Sequence, residues 1–266
     1  MKRAIGFLWT LAVIVVAVLL VGFTPIFAPV REVVVDTVRN SDAPKLGAPD
    51  WSLLKPDEEK LSQVKDRAQQ AAPEADPQAI SDAVSSLDSI SVAPRQEGPY
   101  DRDSWMTSWP TVDGCDLRNR VLSRDLEKVK HPMGDDCKVV SGVLDDPYSA
   151  EIIDFDAKDD AGAVQIDHVV PLAWAERNGG ASWDSDRKKE FASDPENLLA
   201  SSRSTNASKS DQGPGDWPSQ EQWNDPQLHG DWCQYTVQFV DLVNQWGLSM
   251  DAEEVATTRD RLQSCQ

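Results

Sequence analysis

The chain has 266 residues, enough for one full domain with appendages. It carries 26 Lys+Arg against 45 Asp+Glu, a formal net charge of −19 with a pI near 4.4. That balance excludes a protein that gathers nucleic acid or anionic membrane by bulk positive charge, so any polyanion must be held by local groups.

In chain order, the first segment is apolar. After Met1-Lys2-Arg3, residues Ala4 to Phe23 contain no charge, about the 20 residues a helix needs to cross a bilayer. Ile26-Phe27-Ala28 is a weak cleavage site because Pro29 follows it. Residues 1–30 therefore read as an N-terminal transmembrane anchor, with a cleaved signal as the alternative. Lys2 and Arg3 on the short flank place everything after Phe23 outside the cytoplasm.

Residues 31–104 read as a tether. Pro44, Pro49, Pro56, Pro73, Pro77, Pro94 and Pro99 interrupt a stretch rich in Ala, Ser, Asp and Gln, with few large apolar groups to offset the entropy of ordering it. Short helices are possible from Pro56 to Ala72 and from Pro77 to Leu87, each opening on a proline suited to a first helical turn.

All four cysteines follow the tether: Cys115, Cys137, Cys233 and Cys265. An even count on the external side argues for two disulfides, and four cysteines permit three pairings. Nearest-neighbour pairing, Cys115 with Cys137 and Cys233 with Cys265, is favoured; zinc is disfavoured because no C-x-x-C spacing occurs.

Residues 105–266 have a mixed pattern. Asp116 to Val129 reads as an amphipathic helix, and "CKVVSGVLDDPYSAEIIDF" as a hairpin turning at Asp145-Asp146-Pro147. "VQIDHVVPLAW" is a short strand stopped by Pro171, followed by a helix from Leu172 to Arg177 that Gly179-Gly180 ends. Asp184 to Ala192 is a short charged helix, Asn197 to Ala200 an extended piece, and Ser204 to Lys209 the opening of another helix. "DWCQYTVQFVDLVNQWG" and "SMDAEEVATTRDRLQSC" are two late helices. A strand bearing Asp167-His168, a loop carrying Asn197 and a helix carrying Asn206 make a ββα unit able to hold one divalent ion against a phosphodiester.

The stretch "IDHVVPLAWAERNGG…FASDPENLLASSRSTNASK" resembles the HNH (His-Me finger) endonuclease superfamily, in the variant whose last histidine is replaced by asparagine. It is most similar to secreted or membrane-tethered bacterial HNH nucleases with a "DGCDLRNRVL" type opening and two late cysteines. The resemblance covers residues 105–266, the expected HNH endonuclease domain. It implies an α+β fold with a ββα-metal core, flanking helices and two disulfides, preceded by the anchor and a disordered tether. It also implies that Asn197 orients the catalytic ring and that Asp167 and Asn206 are the metal ligands.

Hydrolysis of a phosphodiester needs a base for water and a cation at the phosphoryl oxygens. His168 is the candidate general base, since imidazole is available neutral at about pH 7. One carboxylate and one amide oxygen suit Mg²⁺ or Mn²⁺, with Ca²⁺ as an alternative. Lys209, one turn beyond Asn206, shares its helix face and is the first candidate for a substrate phosphate, followed by Arg203 and Arg187. His131 and His229 read as surface residues, and the tryptophans, Trp109 among them, as core and lid packing. Residues 101–266 carry 16 Lys+Arg against 32 Asp+Glu, so the expected activity is non-specific cutting of DNA, with RNA as a second substrate class. The alternative is a surface binding or adhesion module that keeps the scaffold without turnover.

Overall fold

A computed structural model describes residues 75–225 and 230–265. The expected anchor at residues 1–30, the helix from Pro56 to Ala72 and His229 lie outside the described residues. Helix α1 (Pro77–Leu87) begins at Asp76, whose carboxylate accepts from the Gln78 amide at 2.9 Å, with Pro77 at the first helical position. Strand β1 (Ser91–Val92) follows, and a short 3₁₀ turn, Arg102–Ser104, leads to the β2 (Thr111–Val112) and β3 (Cys115–Asp116) hairpin. Helix α2 (Leu117–Asp125) precedes the antiparallel sheet of β4 (Glu127–Lys130), β5 (Ser141–Asp145) and β6 (Ile152–Asp156). After α3 (Ala157–Asp160) come β7 (Val164–His168), α4 (Leu172–Arg177), α5 (Ser185–Ala192), β8 (Leu198–Ser202) and α6 (Arg203–Lys209). The chain closes with α7 (Gln220–Trp223), α8 (Trp232–Trp246), β9 (Ser249–Met250) and α9 (Ala252–Ser264).

Residues 75–104 are not tether: the described residues all belong to one unit, Asp66–Gln266. Ile80, Ala83 and Leu87 recur at helical spacing, and all three are buried against α8 and α9. Burying Ile80 and Leu87 stabilises the unit by about 1.5–3 kcal/mol each. A few large apolar groups suffice because they share one face and that face finds a partner. β1 then pairs in parallel with β9, Ser91 to Ser249 and Val92 to Met250, and Arg259 Nη2 donates to Asp88 Oδ1 at 2.8 Å.

The helix expected over Asp116–Val129 is shorter. Asp116 is its N-cap, accepting from the Asn119 amide at 2.9 Å, and the helix stops at Asp125. There the side chains turn to the neighbouring strand: Arg124 donates to the carbonyls of Pro195 and Leu198, and Asp125 Oδ2 accepts from the Ala200 amide at 2.8 Å. With the end of α2 anchored on β8, Glu127–Lys130 leaves as an edge strand, pairing with β5 around an irregularity between Glu127 and Lys130. The β5–β6 hairpin, α4, α5, α8 and α9 form where the pattern places them, and α8 ends on Gly247 at φ 65°, a left-handed cap that needs no Cβ. The helix opening at Ser204 goes no further than Lys209.

Both cystines pair nearest neighbours: Cys115–Cys137, with Cα atoms 5.2 Å apart, and Cys233–Cys265, at 5.9 Å. The fold is thus α+β with two disulfides. Among the described residues no helix is long and apolar enough to cross a membrane.

What positions the site is the β7–β8 ribbon. Its antiparallel register runs from Val164–Ser202 to His168–Leu198. Because side chains alternate along a strand, Val164, Ile166 and His168 leave one face with Leu198 and Ala200, while Gln165 and Asp167 leave the other. The first face packs with Leu117, Val121 and Leu122 of α2 in one core; the second meets α6 and the larger core built on α8. The ribbon therefore has an apolar layer on each side.

Candidate active site

Helix α6 lies along β7. The Arg203 amide donates to the Ala163 carbonyl at 3.0 Å, Asn206 Nδ2 to Gln165 Oε1 at 2.8 Å, and Lys209 Nζ to Asp167. Each step of three helix residues thus advances two strand residues. Asn206 and Lys209 share a helix face, as their spacing requires.

Lys209 is fully buried, and it is not a surface group waiting for phosphate. Its ammonium is 2.9 Å from Asp167 Oδ2 and 3.2 Å from Oδ1, and it donates to the His168 carbonyl at 2.8 Å. It also lies 5.9 Å from the ring centroids of both Tyr148 and Tyr235. The Tyr148 hydroxyl donates to Asp167 Oδ2 at 2.7 Å. Burial pushes the Asp167 carboxyl up and the Lys209 ammonium down, each against the other's charge. Tyr148, driven well above the usual phenol range by burial and then by Asp167, stays a donor. Its turn is fixed from outside: Trp232 Nε1 donates to the Tyr148 carbonyl at 2.7 Å, and a Cβ at Gly230 would collide with that oxygen.

His168 leaves the other face and is 6% exposed. Its Nε2 is 3.0 Å from the Ala192 carbonyl. A carbonyl only accepts, so Nε2 carries the proton and Nδ1 carries the lone pair. Burial, with Arg102 and Lys209 adding to it, lowers the ring's pKa to about 4 against the Ala192 hydrogen bond, so the neutral form prevails at pH 7. Trp109 stacks on the ring, 13° from parallel with centroids 6.1 Å apart.

Asn197 does not orient this ring. Fully buried, it accepts from the Val170 amide at 2.8 Å and donates to the Val170 carbonyl at 3.3 Å, holding the turn that follows His168. The ring's hydrogen bond goes instead to the Ala192 carbonyl. Arg203 pairs with Asp160 at 2.6 Å beside Val164, the far end of β7 from His168, roughly 13 Å away at about 3.3 Å per strand residue. Arg187 donates to the Trp246 carbonyl at 2.8 Å and lies over the Trp183 ring at 4.6 Å. Neither is brought to His168.

The structure thus brings together Asp167, Lys209 and Tyr148, and next to them Asn206 with Gln165; the imidazole lies across the ribbon from both. Gln165, Tyr148, Trp109 and the Ala192 carbonyl are the participants that the sequence reading missed. Gln165 had a signal, the period of two that puts it on Asp167's face. The others come from distant segments, and no local pattern announces them.

Among the described residues, no group of three His, Cys, Asp or Glu gathers to hold a metal. The donor chemistry still fits a hard cation through one carboxylate and one carboxamide: the Asn206 nitrogen is spent on Gln165, which leaves its oxygen as the acceptor. Asp167 would have to share its carboxylate with Lys209.

A model of the GmrSD restriction endonuclease C-terminal domain matches residues 116–236, which hold β7, β8 and α6 with Tyr148, Gln165, Asp167, His168, Ala192, Asn197, Asn206 and Lys209. A protein of Arthroderma benhamiae described as an uncharacterized secreted protein is 34% identical over 190 residues, 70% of this chain and 85% of that relative. The chain belongs to the GmrSD C-terminal domain family. The HNH-type nuclease resemblance read from "IDHVVP" and "NLLASSRSTNASK" agrees with that membership. No solved structure matches this GmrSD-type chain.

Proposed function

We propose that this protein is a divalent-metal-dependent endonuclease of the HNH, His-Me finger type. It hydrolyses phosphodiester bonds of DNA, with RNA as a second substrate, without marked sequence preference. The observation that carries this reading is the state of His168: a neutral imidazole with Nε2 committed to Ala192 and Nδ1 left as a base. Nδ1 takes the proton of the attacking water. A phosphodiester beside the ring raises its proton affinity, because negative charge favours the imidazolium. Asp167 and Asn206, on the opposite face of the ribbon from the imidazole, would hold the cation, Mg²⁺ or Mn²⁺ with Ca²⁺ as the alternative. A phosphodiester reaching both the cation and His168 would have to lie over the end of β7, and the bound cation would neutralise charge on its phosphoryl oxygens. Lys209 holds the Asp167 carboxylate in place, and Asn197 holds the backbone beyond the base.

Two disulfides, the uncharged run Ala4–Phe23 and the secreted relative support action outside the cytoplasm, with residues 1–30 as anchor or signal. The test is digestion of plasmid and RNA by the purified protein across Mg²⁺, Mn²⁺ and Ca²⁺. Cleavage that EDTA stops supports the reading, and no cleavage with any cation refutes it. One observation favours a second reading, a surface binding module without turnover: Asp167 is already neutralised by a buried lysine. That reading predicts binding of nucleic acid or protein without cutting.

A further inference from the structure

Trp109 belongs to no catalytic pattern, yet it is the ring stacked on His168. The segment that carries it is held on both sides. Trp105 is buried against Trp183 and Phe191, at 5.8 and 5.6 Å between centroids, and its Nε1 donates to Glu176 Oε2 at 2.9 Å. On the other side the Pro110 carbonyl accepts from the Leu117 amide at 2.9 Å, and the β2–β3 hairpin is tied to Cys137 through Cys115. Phe191, on which Trp105 packs, directly precedes Ala192, the acceptor for His168 Nε2. One segment thus braces the imidazole's flat face and backs the residue that fixes its edge.

We propose that Trp109 is a positioning residue for His168: by covering one face of the imidazole it holds the ring in the orientation that commits Nε2 to Ala192 and leaves Nδ1 bare. The proposal rests on the reading of His168 as the general base. A single hydrogen bond leaves a buried imidazole free to flip about its Cβ–Cγ bond whenever there is room beside it, and a flip exchanges nitrogen and carbon at the reacting edge. A stacked indole removes that room. Phenylalanine can replace the flat face, and alanine or leucine cannot.

The test has two readouts on the purified protein and its Trp109→Phe, Trp109→Leu and Trp109→Ala variants. In the resting protein at pH 7.5, ¹⁵N spectra of the histidine rings should show His168 as a single Nε2–H form in the wild type and in Trp109→Phe. In Trp109→Leu and Trp109→Ala the two nitrogens should move toward an averaged signal. In cleavage of a fluorogenic DNA oligonucleotide, Trp109→Ala should lower kcat by roughly tenfold or more with KM within about twofold, and Trp109→Phe should stay within about threefold, the size expected of one aromatic contact. Leucine carries the comparison should the alanine variant not fold. An unchanged His168 signal in the leucine and alanine variants, or a kcat equal to wild type, overturns the proposal. So does a Phe variant as impaired as Ala. The spectra need no turnover, so a wild type that cuts nothing would sink the nuclease reading while leaving the positioning of His168 measured.

Discussion

Replacing Lys209 by methionine removes the cation from the buried pair and leaves the Asp167 carboxylate, 4% exposed, with the Tyr148 hydroxyl as its remaining side-chain partner. Breaking a buried ion pair from one side costs about 3–5 kcal/mol, because the surviving charge has lost its compensation. The lost bond to the His168 carbonyl adds about 1 kcal/mol. Asp167→Asn with Lys209→Met removes both charges from the same space, so the double variant should recover at least about 2 kcal/mol relative to Lys209→Met alone. Urea unfolding of the purified protein, followed by tryptophan fluorescence, gives all three values. Millimolar Mn²⁺ should stabilise Lys209→Met more than wild type, since the cation then has the carboxylate to itself. A Lys209→Met variant within about 1 kcal/mol of wild type, or a double variant no better than the single, would show that the pair is not the charge-compensated unit described above.

Three further outcomes follow from the geometry. Asn197→Ala strands the buried Val170 amide and should cost about 2–4 kcal/mol; hydrogen exchange at Val170 should pass from slow to fast, and an amide still protected would contradict the clamp. Burial raises the Glu254 carboxyl from 4.5 to about 7, against Arg95 and the Trp174 indole. The folded state then keeps a proton that the unfolded chain releases, so this residue's share of stability falls by about 3 kcal/mol as pH rises from 4.5 through 7. His168, depressed from 6.5 to about 4, acts with the opposite sign, losing stability as pH falls through that interval. Subtracting the Glu254→Gln curve from wild type isolates the Glu254 slope, and a flat difference would refute it. Cys233→Ser with Cys265→Ser opens a loop with a sequence separation of 32 and should cost about 3–4 kcal/mol on the chain-entropy model, read by urea unfolding under non-reducing conditions; a loss below about 1 kcal/mol would contradict it.

Local chemistry made much of this legible. Asp184 and Asp231 announce helix starts, Gly247 a helix end, and the alternation of "VQIDH" fixes which residues share a face, so Asp167 and His168 diverge as the strand period demands. What stayed hidden was decided by partners distant in sequence. The segment from Pro77 looks too polar to fold until its one apolar face meets α8 and α9. Lys209 looks like a phosphate contact until Tyr148, Tyr235 and Asp167 enclose it. Asn197 occupies the expected place in the chain, but its side chain serves the backbone of Val170, a difference that only the path of the turn after β7 could reveal.

The role proposed for the His168 imidazole is that of base in a phosphodiester hydrolysis. Its most direct test is the rate at which His168→Ala nicks supercoiled plasmid under saturating Mg²⁺ or Mn²⁺, with near-UV circular dichroism confirming retained packing. A loss of about 10²–10⁴-fold with the fold intact is the expected result; a folded variant cutting within tenfold of wild type would mean that another group takes the proton.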